Sequence, residues 1–390
     1  MTGNRVGWKA AILMMSFLQM ATNAAASILA ELAAAFPEAS TSAVQYLMTF
    51  PNLLVVVMSI ATAKLSEYIA KKYLAAAGLA LGVVSGLCAF LFHRNLVLLY
   101  VWAALLGIGI GIVIPVATSL ISDFFEGQER ETMLGLQTAA ANAGSMCMTF
   151  TGGLLAAYGW HYNYLVYLFA VPGLILTLLF IPGKRDMAGE QIKVQAADQS
   201  RAIPGRVVGC MVVAMGFMLL FYIAPTNLAM YVSQRQMGDS FLAGTAATVL
   251  LLGGTVAGVF FGRLSERIGE WTIALGFAVL AAGYLILCAG VGTAGLMAAG
   301  FLIGTSNALV LPQCMGKAAA GDRRRSTFYT SLVFATANLG TFLAPSVTMA
   351  ARLLTGGDTV VARFMTAAVI SLAAAVISGV ILCRRKRRAG

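Results

Sequence analysis

Charged residues punctuate this chain instead of alternating with apolar ones. Uncharged, mostly apolar runs cover residues 10–30, 39–63, 73–93, 95–122, 207–234, 240–262, 326–351 and 364–383. Each is long enough for one helix across the ~30 Å hydrocarbon layer, which takes about 20 residues. Two further runs, 132–183 and 271–316, are about twice that length. Each carries a break, at Gly159-Trp160-His161 and at Gly290-Val291-Gly292-Thr293, and so supplies two spans. The pattern predicts an all-α integral membrane fold with twelve transmembrane helices.

The longest polar stretch, GKRDMAGEQIKVQAADQSRAIP at 183–204, falls near the middle. It predicts a six-helix bundle at 1–182, a cytoplasmic linker at 183–205 and a second six-helix bundle at 206–390. The amino terminus has a basic start and an apolar run without a small-residue cleavage motif, which reads as a retained first span.

Composition agrees: 59% of the 390 residues are hydrophobic, 11% are charged and the mean hydropathy is +0.85. These values exclude disorder and a soluble enzyme of ordinary composition. The net charge of +11 would suggest nucleic acid in a soluble protein, but its placement argues otherwise. With both termini in the cytoplasm, only Arg94, Arg235, Arg352 and Arg363 of the 26 Lys and Arg fall outside, and 4 of the 15 acids do. The inner face then nets 22 − 11 = +11 and the outer face 4 − 4 = 0, an orientation signal and not a nucleic-acid footprint. Six cysteines lie far apart with no histidine nearby, so neither a disulfide nor a metal site is expected, and no cofactor is implied.

The two halves repeat. AKLSEYIAKK at 63–72 aligns with GRLSERIG at 262–269; Leu106-Gly107 with Pro115 parallels Ile303-Gly304 with Pro312; and Ala141-Asn142-Ala143-Gly144 parallels Ala337-Asn338-Leu339-Gly340. The offsets are 199, 197 and 196, which argues for two copies of one six-helix unit with a central cavity between them.

On these residues the chain resembles the major facilitator superfamily, whose loop signature runs Gly, three positions, Asp, Arg, any residue, Gly, Arg or Lys. The Asp is Glu in both copies here. The stretches at 28–51 and 152–168 are similar to the twelve-span bacterial drug and metabolite efflux proteins. The resemblance implies a conformational latch at the cytoplasmic side: Glu67 with Lys71, Asp123 as the partner of Lys71, and Arg263, Glu266 and Arg267 in the second copy. A carboxylate at a helix amino terminus gains roughly 0.3 to 1 kcal/mol, so the role is physically reasonable. The position matching Lys71 in the second copy is Glu270, which removes the basic arm there. Two antiporter features are also missing: the span-four Arg, whose place falls near Ala103 beside Trp102, and the span-five Gly-Pro.

Polar residues inside a membrane helix usually face a cavity or another helix. Span one carries Gln19, Asn23, Ser27 and Glu31 at steps of four, one stripe on an α-helix. With Tyr222, Thr226 and Asn227 around Pro225, and Gln137, Asn142, Tyr329 and Asn338 in spans five and eleven, they form the expected substrate cavity. Interhelical hydrogen bonding is the competing reading. Glu31 is the candidate proton carrier, although its place near the outer mouth also fits a solvated helix end; His93 and His161 fall in outer turns. Gly78, Gly82 and Gly86, and Gly254, Gly258 and Gly262, recur every four residues and predict close helix approach. Gly107-x-Gly109-x-Gly111 lies inside a membrane run, with no strand before it, and reads as packing and not as a nucleotide loop.

A cavity of amides, hydroxyls and aromatics suits a small neutral or amphipathic organic solute. The expected activity is a secondary transporter working by alternating access, with proton-coupled efflux implied by the resemblance; uptake, exchange or facilitated passage is the alternative. An enzyme is not expected, because catalytic groups do not cluster. The expected setting is a bacterial inner membrane, the expected partners are lipid, solute and protons, and a monomer is expected.

Overall fold

The computed structural model describes residues 5–183, 203–269, 271–290, 292–319, 326–355 and 359–389. Among them are thirteen helices and no strand. They are α1 (Arg5–Ser27), α2 (Leu29–Ala35), α3 (Thr41–Tyr68), α4 (Lys71–Leu91), α5 (Leu96–Phe124), α6 (Gly127–Ala156) and α7 (Trp160–Phe180), then α8 (Gly205–Gln234), α9 (Ser240–Ile268), α10 (Trp271–Ala289), α11 (Gly292–Ala319), α12 (Ser326–Thr355) and α13 (Val360–Ala389). Ten of these are long and apolar enough to cross a membrane. The 30-residue helix α6 has the length but not the mean hydropathy, because Gln, Thr, Asn and Ser interrupt it. Apart from its ends, the expected linker at 183–205 lies outside the described residues.

Local chemistry sets the helix ends. Asn95 Oδ1 accepts from Val97 N at 2.9 Å, and Asp239 Oδ1 from Phe241 N at 3.1 Å, capping α5 and α9. Both breaks in the long apolar runs use glycine at positive φ, Gly159 at 138° and Gly290 and Gly292 at 71° and 57°, where a side chain would be strained. Gly269, the last residue of GRLSERIG, ends α9 at φ 55° in the same way.

Backbone proximity divides the chain into two units, Met1–Ala39 with Tyr46–Arg201, and Ser40–Gln45 with Ala202–Gly390. The first turn of α3 therefore packs with the second unit, and the rest of that helix with the first.

Within each unit, glycines bring helices to backbone contact at equivalent places. A Cβ on Gly107 would stand 2.5 Å from Pro51 O, and one on Gly304 closer still to Leu250 O. The contacts of Gly144 with Phe17 and of Gly340 with Met215 match as well, at 2.5 and 2.3 Å from the carbonyl oxygens. Gly78 against Val113 corresponds to Gly276 against Val310. Each pair is offset by 196 to 199 residues, so the two units share one packing scheme.

The identical four-residue spacing has different meanings in the two halves. Gly78, Gly82 and Gly86 pack on Gly109 O, Leu18 and Tyr164 O. Gly254 approaches Gly304 O at 3.2 Å, but Gly258 and Gly262 meet nothing within 4 Å, so close approach there is corrected to a single position. Large apolar side chains such as Leu179, Val259, Val369 and Ile377 are exposed along the helices, as a lipid-facing surface requires.

Candidate functional site

In the first unit, the polar stripe of α1 does not survive folding. Residues Phe17–Ser27 form a 3₁₀ stretch interrupted at Met20 (φ −118°, ψ 25°), and Ile28 separates it from α2. At three residues per turn, a step of four moves each side chain round the helix instead of aligning it. Gln19 donates to Ser16 Oγ at 3.3 Å, Asn23 to Ser145 Oγ of α6 at 3.0 Å, and Ser27 accepts from Asn163 Nδ2 of α7 at 3.1 Å. Ser27 is fully buried and joins helices; Gln19 and Asn23 are half-buried. Glu31 lies in the first turn of α2, half-buried, off the stripe.

Gln137 of α6 is buried and exchanges hydrogen bonds with Thr118 Oγ1 of α5 at 3.2 and 3.4 Å. Asn142, one turn and a half further on, is half-exposed, and its amide forms no hydrogen bond among the described residues.

At the end of the first unit that carries the start of α1, Lys71 Nζ lies 2.5 Å from Asp123 Oδ2, joining α4 to α5. The side chains of Glu67 and Glu266 lie outside the described residues. Lys9 and Arg5 pair with Glu129 at 2.8 and 3.4 Å, and the hydrogen bond from Lys9 holds the Glu129 carboxyl below its usual range. In the second unit Arg263 and Arg267 are exposed. There, Gln313 of α11 takes over the stapling: its Oε1 accepts from Ser265 Oγ at 2.8 Å and its Nε2 donates to Gly269 O at 3.3 Å. A neutral amide thus holds the motif turn that an ion pair borders in the first copy.

The second unit also holds a buried polar cluster. Asn227 Oδ1 accepts from Arg363 Nη1 of α13 and from Gln45 Nε2 at the start of α3, both at 2.7 Å, and Asn227 Nδ2 donates to Ile223 O at 2.8 Å. Thr226 Oγ1 donates to Tyr222 O at 2.6 Å. Thr226 and Asn227 are fully buried and tie helices together. Sequence reasoning placed Arg363 in an outer loop. It is instead 6% exposed inside α13, which begins at Val360, and is the one charged side chain among the buried polar residues described. No spacing signal marks it; only the packing of α13 against α8 does.

Pro225 breaks α8 at Tyr222 by removing the N–H that Phe221 O would accept. Tyr284 of α10 repairs the loss, its hydroxyl donating to Leu220 O at 2.6 Å and to Phe221 O at 3.3 Å. Of the remaining candidates, Tyr222 is half-buried, Tyr329 is buried, and Asn338 is half-exposed and bonded to Phe334 O at 2.9 Å.

These paired bundles match known proteins. The sequence profile of the Major Facilitator Superfamily covers residues 10–345. The chain belongs to that superfamily. Solved structures share its fold: the nucleoside transporter NupG, in a mutant form, at TM-score 0.74 and 11% identity, covering 97% of this chain and 99% of that one. A mutant peptide transporter POT in complex with alafosfalin reaches 0.77 at 14% identity, covering 97% and 94%. The POT family transporter PepTSo reaches 0.74 at 9% identity, covering 98% of each. Comparison with curated proteins returned no match. The protein is a multi-pass membrane transporter and not an enzyme.

At the turns that end α4 and begin α7, His93 and His161 stack with centroids 4.2 Å apart, and Trp160 meets both edge-on. His93 Nδ1 lies 2.7 Å from Phe90 O. The cluster reads as an aromatic girdle at a membrane boundary.

Proposed function

We propose that this superfamily member is a secondary transporter moving a small neutral or amphipathic organic solute by alternating access, with efflux driven by the proton gradient. The observation that carries the substrate class is the character of the polar groups within the spanning helices. Apart from Arg363, which donates to Asn227 Oδ1, the residues described as buried and polar are amides and hydroxyls, and one carboxylate oxygen of Glu31 is buried as well. Polyanions such as sugar phosphates usually need several Arg or Lys at the site. Gln19, Asn142 and Asn338, the half-exposed amides, are the solute contacts favoured by this reading, and Glu31 is the proton carrier. The Lys71–Asp123 pair serves as the latch. The setting is a bacterial inner membrane with both termini cytoplasmic, and the working form is a monomer.

The missing span-four Arg, at Ala103, favours one second reading, uptake or exchange without proton antiport. Purified protein in liposomes decides between them. Candidate solutes are first selected by thermal shift, and their flux is then followed with and without an imposed pH gradient. Acceleration by the gradient, lost in Glu31→Gln, is the expected result. Flux indifferent to the gradient refutes proton coupling, and an unchanged Glu31→Gln removes Glu31 from the mechanism.

A further inference from the structure

Buried tyrosines differ in how their hydroxyls are satisfied. In the second unit, Tyr284 donates to Leu220 O and Tyr231 donates to Leu287 O at 2.8 Å, as buried phenols normally do, whereas Tyr329 of the same unit, 3% exposed, forms no hydrogen bond among the described residues. In the first unit, Tyr164 and Tyr167 are 7% and 3% exposed, yet their hydroxyls form no hydrogen bond among the described residues. Thr22, 6% exposed, has an unbonded hydroxyl as well. All three side chains line one cavity of about 20 Å³, closed by Pro51, Ala89, Trp102 and Leu106 among others.

The repeat shows where the two units differ beside this cavity. Gly78 and Gly276 occupy equivalent places on α4 and α10, and the same offset sets Gly86 opposite Tyr284. Where the second unit inserts a phenol, the first has no side chain. There α7 moves in: a Cβ on Gly86 would be 2.7 Å from Tyr164 O and 2.8 Å from Tyr167 Cβ. Two long 3₁₀ stretches, Phe17–Ser27 of α1 and Trp160–Phe169 of α7, border this place and supply Thr22, Ala25, Tyr164 and Tyr167 to its lining. Runs of 3₁₀ helix beyond about four residues are uncommon and often mark hinges.

We propose that this cavity is a binding site for one or two ordered water molecules held by the hydroxyls of Thr22, Tyr164 and Tyr167, and that the 3₁₀ stretches of α1 and α7 bend on it. The volume suits water, which needs roughly 10–15 Å³ by this measure and two to four polar partners. Water here donates to and accepts from these hydroxyls, which no protein group satisfies among the described residues. Helices bend where water enters the hydrogen-bond ladder. A dry cavity would leave three hydroxyls unbonded, each at a cost of about 1–3 kcal/mol.

X-ray radiolytic hydroxyl labelling of the full chain in lipid nanodiscs tests the site, because radicals form from bound water in place. Tyr164 and Tyr167 are expected to label several-fold faster than Tyr284 and Tyr231, which are equally buried but bonded to carbonyls. Equal rates overturn the proposal. Tyr164→Phe and Tyr167→Phe give a second reading: a hydroxyl bonded to water lowers the melting temperature when removed, whereas a dry, unbonded one raises it. A rise in both variants overturns the proposal. Ala89→Val, which reduces the cavity, should also slow amide hydrogen exchange across residues 17–27; unchanged exchange refutes the hinge.

Discussion

Gly304→Ala tests whether backbone contact between α9 and α11 sets the stability of the second unit. The added Cβ would overlap Leu250 O and stand 2.7 Å from Leu250 C and 3.0 Å from Gly254 N. Ordinary contact begins at 3.4 Å, so the helices must separate, and the obstructing atoms are backbone that no rotamer change can move. Overpacking of a tight interior costs about 1–3 kcal/mol, and a contact with rigid backbone belongs at the upper end. Alanine returns up to about 1 kcal/mol through helix propensity, which leaves a net loss of roughly 2 kcal/mol. Gly258→Ala on α9 is the control, since nothing lies within 4 Å of it and only the propensity gain applies. Thermal unfolding in one detergent, followed by size-exclusion recovery after heating, should rank Gly304→Ala below wild type and Gly258→Ala at or above it. A Gly304→Ala protein that melts with wild type would refute the argument. It would show that the helices separate at little cost.

Two further outcomes follow from the buried and surface polar groups. Asn227→Leu removes the acceptor that holds the Arg363 guanidinium and should cost about 1.5–3 kcal/mol, while Asn142→Leu, at a half-exposed amide without a hydrogen bond, should stay within about 0.5 kcal/mol; equal losses in thermal unfolding would contradict the assigned roles. The Glu129 carboxyl is lowered first by the hydrogen bond from Lys9, so its stabilising effect is present above the unfolded-state pKa and is lost as pH falls through the lower folded value. Glu129→Gln should therefore lower the melting temperature near neutrality and converge with wild type in acid, which flattens the acid side of the profile, and a parallel shift at all pH values would refute the linkage.

The contrast between the glycine series shows how far spacing can be read. Gly78, Gly82 and Gly86 and Gly254, Gly258 and Gly262 are the same pattern, yet three contacts form in the first case and one in the second. Repeat offsets did locate the working positions, because Gly107 with Gly304, and Gly144 with Gly340, pack alike in both units. The loop motif was visible in both copies, but Gln313 as its staple was not, since it lies 44 residues beyond Gly269.

Hydrophobic runs and their charged boundaries determined the helices, the breaks at Gly159 and Gly290 and the pseudo-repeat, because lipid demands about 20 apolar residues per crossing and internally satisfied backbones. Twelve expected spans in two halves, the central basic loop and the loop motif in both copies together carried the resemblance to the superfamily. What only the tertiary structure decided is which polar groups are spent on other helices. Periodicity assumes 3.6 residues per turn, and α1 departs from it over Phe17–Ser27, which scattered the stripe of Gln19, Asn23 and Ser27. Arg363 looked like a loop cation because it precedes the apolar run by one residue, and the helix starts three residues earlier, at Val360. Its burial depends on Asn227, 136 positions away, a partner that no local pattern can specify.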